Sequence, residues 1–437
     1  MDDNLQQLPT RSVDPLTSTF KRFIHIESAS GTILLLCTLV ALAFSNSPWA
    51  SHYSSFWETP LGFHFGNYGL THSLKHWIND GLMTLFFFLV ALELKRETVL
   101  GELRNWRLAT LSFAGALGGM VVPAGVYLSV LRGGTGWEGW GTVVSTDTAF
   151  LIGCLAILGS RIPQSLRLFL LSLAIFDDIG AIFVIAFGYG NDLNLTALAL
   201  AAAGVAVVVL IASLGIRNFP AYFATGGFVW LTFDASGIHP TIAGVILGLL
   251  TPARSWVKDD RLHAILERVI AYPRGEHWSG DTSDRQDLQL ANTATREALS
   301  PVERLEIGLH SWVALLIVPA FAMANAGISF YSMQVDTSLT LAIFAGFVFG
   351  KPVGVVLFSY LAVRFRWAIL PPELDWTLIF FGATLTGIGF TMALLIAELA
   401  FDDSVLNSVK LGILVSSIVS ATVGLSALRW LASRRST

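Results

Sequence analysis

Charge is scarce in this chain. Only 13% of its 437 residues are charged and 54% are hydrophobic, against roughly 25% charged in an ordinary soluble domain, which excludes a soluble globular fold for most of its length. Cysteine is nearly absent: Cys37 and Cys154 are the only two. Both lie in apolar stretches and read as small hydrophobes, with neither a disulfide nor a thiolate metal centre implied. No nucleotide-binding loop is present, since Phe349-Gly350-Lys351-Pro352 lacks the glycine-rich run and the Ser or Thr of a P-loop. The first 27 residues mix acidic and basic side chains, unlike a cleavable leader whose basic start runs straight into an apolar core. The first apolar stretch is therefore expected to stay in the mature protein. A net charge of −4 singles out no partner, and no nucleic acid is expected among them.

What the chain does have is apolar sequence in bilayer-spanning lengths, which take about 20 residues each. The pattern predicts an all-α polytopic membrane protein with about twelve spans, near 28–46, 76–94, 108–131, 140–159, 166–187, 194–215, 221–234, 238–250, 302–327, 338–364, 376–398 and 405–430. Short polar breaks separate them, so the organisation reads as a segment 1–27, one membrane domain 28–430 with a polar loop at 251–300, and a tail 431–437. An even number of spans puts both ends on one side. Every Lys and Arg falls on that side except Lys75, Arg132 and Lys410 opposite and Lys351 within the membrane. By the positive-inside rule that side is the cytoplasm.

Two extramembrane segments carry local signals. Alternation around Gly66-Asn67 in FHFGNYGL suggests a short outside hairpin, with an irregular loop as the other reading. In the polar loop, VKDDRLHAILERVI has a helical period and AYPRGEHWSGDTSD is rich in turn residues and expected to be mobile. Ser300, Pro301 and Glu303 then form a capping-box signature that starts the ninth span.

The most informative residues are Asp177 and Asp178, side by side at the middle of the fifth span. A carboxylate there costs about 2.5–3.5 kcal/mol on insertion scales, so intramembrane acids commonly bind a cation or carry a proton. Span midpoints place Asp147, Lys351 and Gly387 at the same depth. Each alone could be a satisfied packing residue; together they suggest a cation site. Neighbours on a helix point about 100° apart, so one aspartate can meet Lys351 while the other faces a water-filled cavity. Polar or glycine-rich centres at Ser145-Thr146-Asp147-Thr148 and Thr384 to Thr391 suit two interrupted helices, with Asp147 facing half-helix N-termini and Lys351 half-helix C-termini. Gly387 and Gly389 could instead serve close helix packing. GGMVVPAGV (118–126) and FGKPVGVV (349–356) hint at an inverted-topology repeat pairing spans 3–5 with spans 10–12.

WINDGLMTLFFFLVALELKRE (77–97), STDTAF (145–150), FDDIGAI (176–182), HPTIAGVILG (239–248), FGKP (349–352) and LTGIGFTMALLI (385–396) resemble the NhaA-type sodium/proton antiporters, a family of inverted-repeat transporters. The resemblance implies Asp178 as the main ion ligand, Asp177 as the partner of Lys351, and Thr146 and Asp147 at the crossing of the interrupted helices. It further implies a bacterial inner membrane, electrogenic export of one Na+ or Li+ against two H+, activation at alkaline pH, a homodimer held partly by the outside hairpin, and no cofactor beyond the transported ions. Glu93, Arg96, Glu97, Glu306 and His310 match the family's pH-response region. Ile307 stands where other members carry a second histidine, which leaves the pH set point open. The competing readings are a proton-coupled carrier of another cation or small solute and, more remotely, an intramembrane aspartyl protease, whose GxGD signature is missing at Gly387-Ile388-Gly389-Phe390.

Overall fold

Inside a bilayer the backbone must satisfy its own hydrogen bonds, and this chain does so with helices. The computed structural model describes residues 27–65, 68–99, 101, 106–190, 193–214, 219–270, 282–330 and 335–435. Among them, Leu74–Val99, Ala109–Leu131, Trp137–Leu158, Gln164–Gly188, Leu195–Ser213, Pro301–Asn325, Thr337–Arg364 and Asp403–Arg434 are long and apolar enough to cross a membrane. The protein is a multi-pass membrane protein. The other four expected spans take different forms. Trp376–Leu385 and Phe390–Ala400 are two helices bent by 55°, and Ser30–Ser45 turns through 119° into a short helix, Ala50–Trp57. Phe219–Asp234 and Thr241–Leu250 have 16 and 10 residues. Ten helical residues rise about 15 Å, half the hydrocarbon thickness, so the expected span at 238–250 is a half-length helix.

The contacts divide the chain into two units, Met1–Asn79 with Thr110–Ala181 and Ala314–Thr437, and Asp80–Ala109 with Ile182–Val313. In the first, helices Trp106–Leu131 and Lys351–Arg364 meet backbone to backbone. A Cβ on Gly118 would lie 2.1 Å from the Gly354 carbonyl oxygen, and one on Gly350 would lie 2.7 Å from the Pro123 Cα. Moving forward along one helix moves backward along the other, so the two glycine-rich segments run antiparallel. The expected hairpin forms: Pro60–Phe65 pairs with Tyr68–Ser73, with Phe65 opposite Tyr68. Its expected turn, Gly66-Asn67, lies outside the described residues, as do residues 1–26 of the expected N-terminal segment and the end of the tail.

In the second unit Met83–Val99 packs closely on Thr241–Leu250, where a Cβ on Gly244 would meet the Thr84 carbonyl oxygen at 2.2 Å. The polar loop holds the expected helix, Asp259–Ile270, and an unexpected one, Thr282–Ala298. The polar start of the latter, Thr282-Ser283-Asp284, reads as turn sequence, and the helical spacing of buried Ala291 and Ala294 is too weak a signal to override it. Residues 271–281, on which most of the expected mobility falls, lie outside the described residues. The capping box forms as expected: Ser300 Oγ accepts from the Glu303 amide and the Glu303 carboxylate accepts from the Ser300 amide, with Pro301 in the first turn.

Candidate functional site

Two helices break at the same place. A 3-10 segment, Trp137–Val143, is followed by non-helical residues through Asp147 and then by the half-helix Thr148–Leu158. Trp376–Leu385 stops before Thr386, and Phe390–Ala400 resumes after Gly389. The Asp147 amide donates to the Ile388 carbonyl at 2.6 Å, so the two breaks cross. Asp147 is 1% exposed, and its carboxylate serves both half-helices that begin there. Oδ1 accepts from the Phe150 amide at 3.0 Å, and Oδ2 from the Thr391 amide at 2.8 Å and hydroxyl at 2.6 Å. A helix N-terminus carries about half a positive charge, so two of them offset roughly one carboxylate charge. Gly387 and Gly389 allow the approach. A Cβ on the first would sit 2.5 Å from Ser420 Oγ and 2.7 Å from the Phe347 carbonyl oxygen; on the second, 2.3 Å from the Phe347 ring. Gly389 has ordinary negative φ, so space, rather than backbone conformation, requires glycine there.

Beneath the crossing the helix Gln164–Gly188 brings in Asp177 and Asp178, fully buried and 1% exposed. Lys351, also fully buried, follows a π-helical turn, Gly346–Gly350, an irregularity common at functional sites. Its ammonium donates to Asp177 Oδ2 at 2.7 Å and to Thr146 Oγ1 at 2.5 Å. The Thr146 hydroxyl has one proton to give, with Asp177 Oδ2 at 2.6 Å and the Thr386 carbonyl at 3.0 Å as acceptors. Asp178 Oδ2 accepts from Thr148 Oγ1 at 2.8 Å. The neighbouring aspartates thus diverge, as their helical spacing requires. Asp178 is 1% exposed, with its Oδ2 on the Thr148 hydroxyl. Lys351 donates to Asp177 and Thr146, and the Thr146 hydroxyl in turn meets the half-helix carbonyl of Thr386.

The residues matched to a pH-response region cluster elsewhere. Arg96 Nη1 donates to Glu306 Oε1 at 2.6 Å and Nη2 to Glu97 Oε1 at 2.7 Å. Glu93 sits one turn before Glu97 on the same helix. Glu306 is buried and His310 exposed, and Glu306 is engaged by Arg96 rather than limited to a contact four residues along its own helix.

Sequence reasoning missed two features. The Thr148 hydroxyl on Asp178 is one; its signal was a third hydroxyl beside Asp147. The other is Glu398, whose carboxylate binds Lys75 at 2.6 Å and Lys410 at 2.7 Å. Those are two of the three basic residues expected opposite the cytoplasm, and Glu398 is the only acid in Phe390–Ala400. That coincidence could have found the pair of contacts.

A multi-pass helical protein with broken helices crossing over buried carboxylates and a buried lysine belongs to the class of secondary ion transporters. The family model described as Na+/H+ antiporter 1 matches residues 21–428. The Na(+)/H(+) antiporter NhaA of Rhizobium meliloti (strain 1021) is 60% identical over 433 residues, covering 99% of both chains. Na(+)/H(+) antiporter NhaA 1 of Acidiphilium cryptum (strain JF-5) is 54% identical, covering 97% of this chain and 94% of its own. Na(+)/H(+) antiporter NhaA 2 of Vibrio vulnificus (strain CMCP6) is 51% identical, covering 99% and 96%. The chain belongs to the NhaA-type Na+/H+ antiporter family, a family of transporters and not of enzymes, which sets the protease reading aside.

Proposed function

We propose that this protein exchanges Na+, and also Li+, for protons across a bacterial inner membrane, with Asp178 as the site at which cation and proton compete. The observation that carries this is the charge balance beneath the crossing. Lys351 neutralises Asp177 at 2.7 Å, and two half-helix N-termini offset Asp147. Asp178 adds a second buried carboxylate beside that lysine, 1% exposed and accepting from the Thr148 hydroxyl, and an acid in so low a dielectric calls for a proton or a cation. Either occupant balances it; both cannot. Binding from one side and release to the other then gives obligatory exchange.

Export of one cation against two protons follows if the Asp177–Lys351 pair also takes up a proton in each cycle, which makes transport electrogenic and favours activity at alkaline pH. Both termini lie in the cytoplasm on this reading, with segment 1–27 and tail 431–437 flanking the membrane domain 28–430. The antiparallel contact of Gly118 with Gly354 supports an inverted repeat of spans 3–5 and 10–12. The outside hairpin is a fitting edge for a homodimer. Na+, Li+ and H+ are substrates, and no resident cofactor is invoked.

Everted vesicles loaded with a pH-sensitive dye test the exchange. Na+ or Li+ should dequench the dye and K+ should not; Asp178→Asn should abolish the response while the protein remains in the membrane, because an amide neither ionises nor supplies the charge a desolvated cation needs. In proteoliposomes an inside-negative potential should speed Na+ efflux. Indifference to voltage would mean one-for-one exchange.

A further inference from the structure

We propose that Thr148 is a cation ligand that sets the preference between Na+ and Li+; this rests on Asp178 being the ion-binding carboxylate. Thr148 opens the half-helix Thr148–Leu158 directly after Asp147, so the clamp of Asp147 on Phe150 and Thr391 fixes where its side chain stands. Its Oγ1 lies 2.8 Å from Asp178 Oδ2, on a helix 30 residues away in sequence, a tertiary contact that local sequence does not bring about.

With no cation bound the hydroxyl donates to the carboxylate. A hydroxyl also carries two lone pairs, and a cation approaching Asp178 turns the Thr148 oxygen, instead of its hydrogen, toward itself. Two oxygens 2.8 Å apart can both touch one cation at about 2.4 Å, within the range hard cations take from oxygen. The neighbouring Thr146 hydroxyl is unsuited to this: Lys351, Asp177 and the Thr386 carbonyl already occupy it. Thr148 thus contributes a neutral oxygen beside an anionic one, from a different element. A bound cation would hold the half-helix to the helix Gln164–Gly188, which links occupancy of the site to the crossing.

The selectivity follows from coordination number. Larger hard cations gather more oxygens than smaller ones, so deleting one neutral ligand weakens Na+ more than Li+. In everted vesicles, Thr148→Val should raise the apparent KM for Na+ about ten-fold and that for Li+ about three-fold or less, whereas Thr148→Ser, which keeps the hydroxyl, should stay within about two-fold for both. Thermal stabilisation of the purified protein by NaCl against choline chloride gives a reading that needs no transport. It should shrink in Thr148→Val and persist in Thr148→Ser, and Thr148→Ala serves if the valine variant does not reach the membrane. Unchanged KM values, or equal losses for Na+ and Li+, overturn the proposal. Asp178→Asn separates the two layers. If that variant still shows Na+-dependent stabilisation, the ion-site reading itself fails; if it loses the stabilisation while the Thr148 variants behave as wild type, only Thr148 is misassigned.

Discussion

At the scale of single residues the decisive contact is Asp177 with Lys351, both fully buried and 2.7 Å apart. Burying two charges is costly, and their attraction with the Thr146 hydroxyl offsets that cost only while all three are present. Removing either charge leaves its partner buried and uncompensated, a loss of about 3–5 kcal/mol in comparable buried pairs. Asp177→Asn and Lys351→Met are each expected to lower the melting temperature in detergent, and the double variant to recover part of the loss. A double-mutant cycle measures this directly. Additive losses would show that the two side chains are stabilised separately and would count against the pair as a unit.

At the scale of elements, one carboxylate clamps both half-helices at the crossing. Asp147 accepts the amides of Phe150 and Thr391, so it caps two helices where an ordinary N-cap serves one. Losing a cap costs about 1 kcal/mol, which predicts about 2 kcal/mol for Asp147→Ala, with Asp147→Asn losing less because its amide keeps one acceptor oxygen. Thermal melts of the two variants check the order; equal loss in both would mean that charge, and not hydrogen bonding, holds the crossing. The elements were legible in the sequence to different degrees, for physical reasons. Long apolar runs announce themselves, and Asp147, Asp177, Asp178 and Lys351 stand out because ionised groups are rare at that depth. Ala50–Trp57 and Thr282–Ala298 carry no clear helical signal, since short or polar helices share their composition with loops. Partners were harder still. That Lys351 reaches Thr146, or that Thr148 meets Asp178, is set by how two breaks cross, and a linear sequence does not specify that geometry.

At the scale of the whole molecule, the proposed activation at alkaline pH has two candidate sources. Histidine is the side chain whose ordinary titration range lies nearest neutrality, which makes His310 the natural sensor in the sequence; Ile307, 67% exposed, removes a second. The structure weakens that view, because Glu306 is held by Arg96 at 2.6 Å, and a guanidinium keeps its charge at every relevant pH. As pH rises His310 can only lose charge, while the Arg96 contact persists. Competition at Asp178 acts more directly. With Asp178 as the proposed exchange site, a proton bound at low pH would exclude Na+ and Na+ would replace it as pH rises, so activity should climb with pH. For one competing proton the midpoint should move by about one pH unit toward acid for each tenfold rise in Na+. The pH profile of His310→Gln, taken at limiting and at saturating Na+, separates the two mechanisms. The expected outcome is a displaced profile that still shifts with Na+, as in the wild type. A variant with no pH response at either concentration would make the cluster of Arg96, Glu97, Glu306 and His310 the dominant sensor, with the ion site following it.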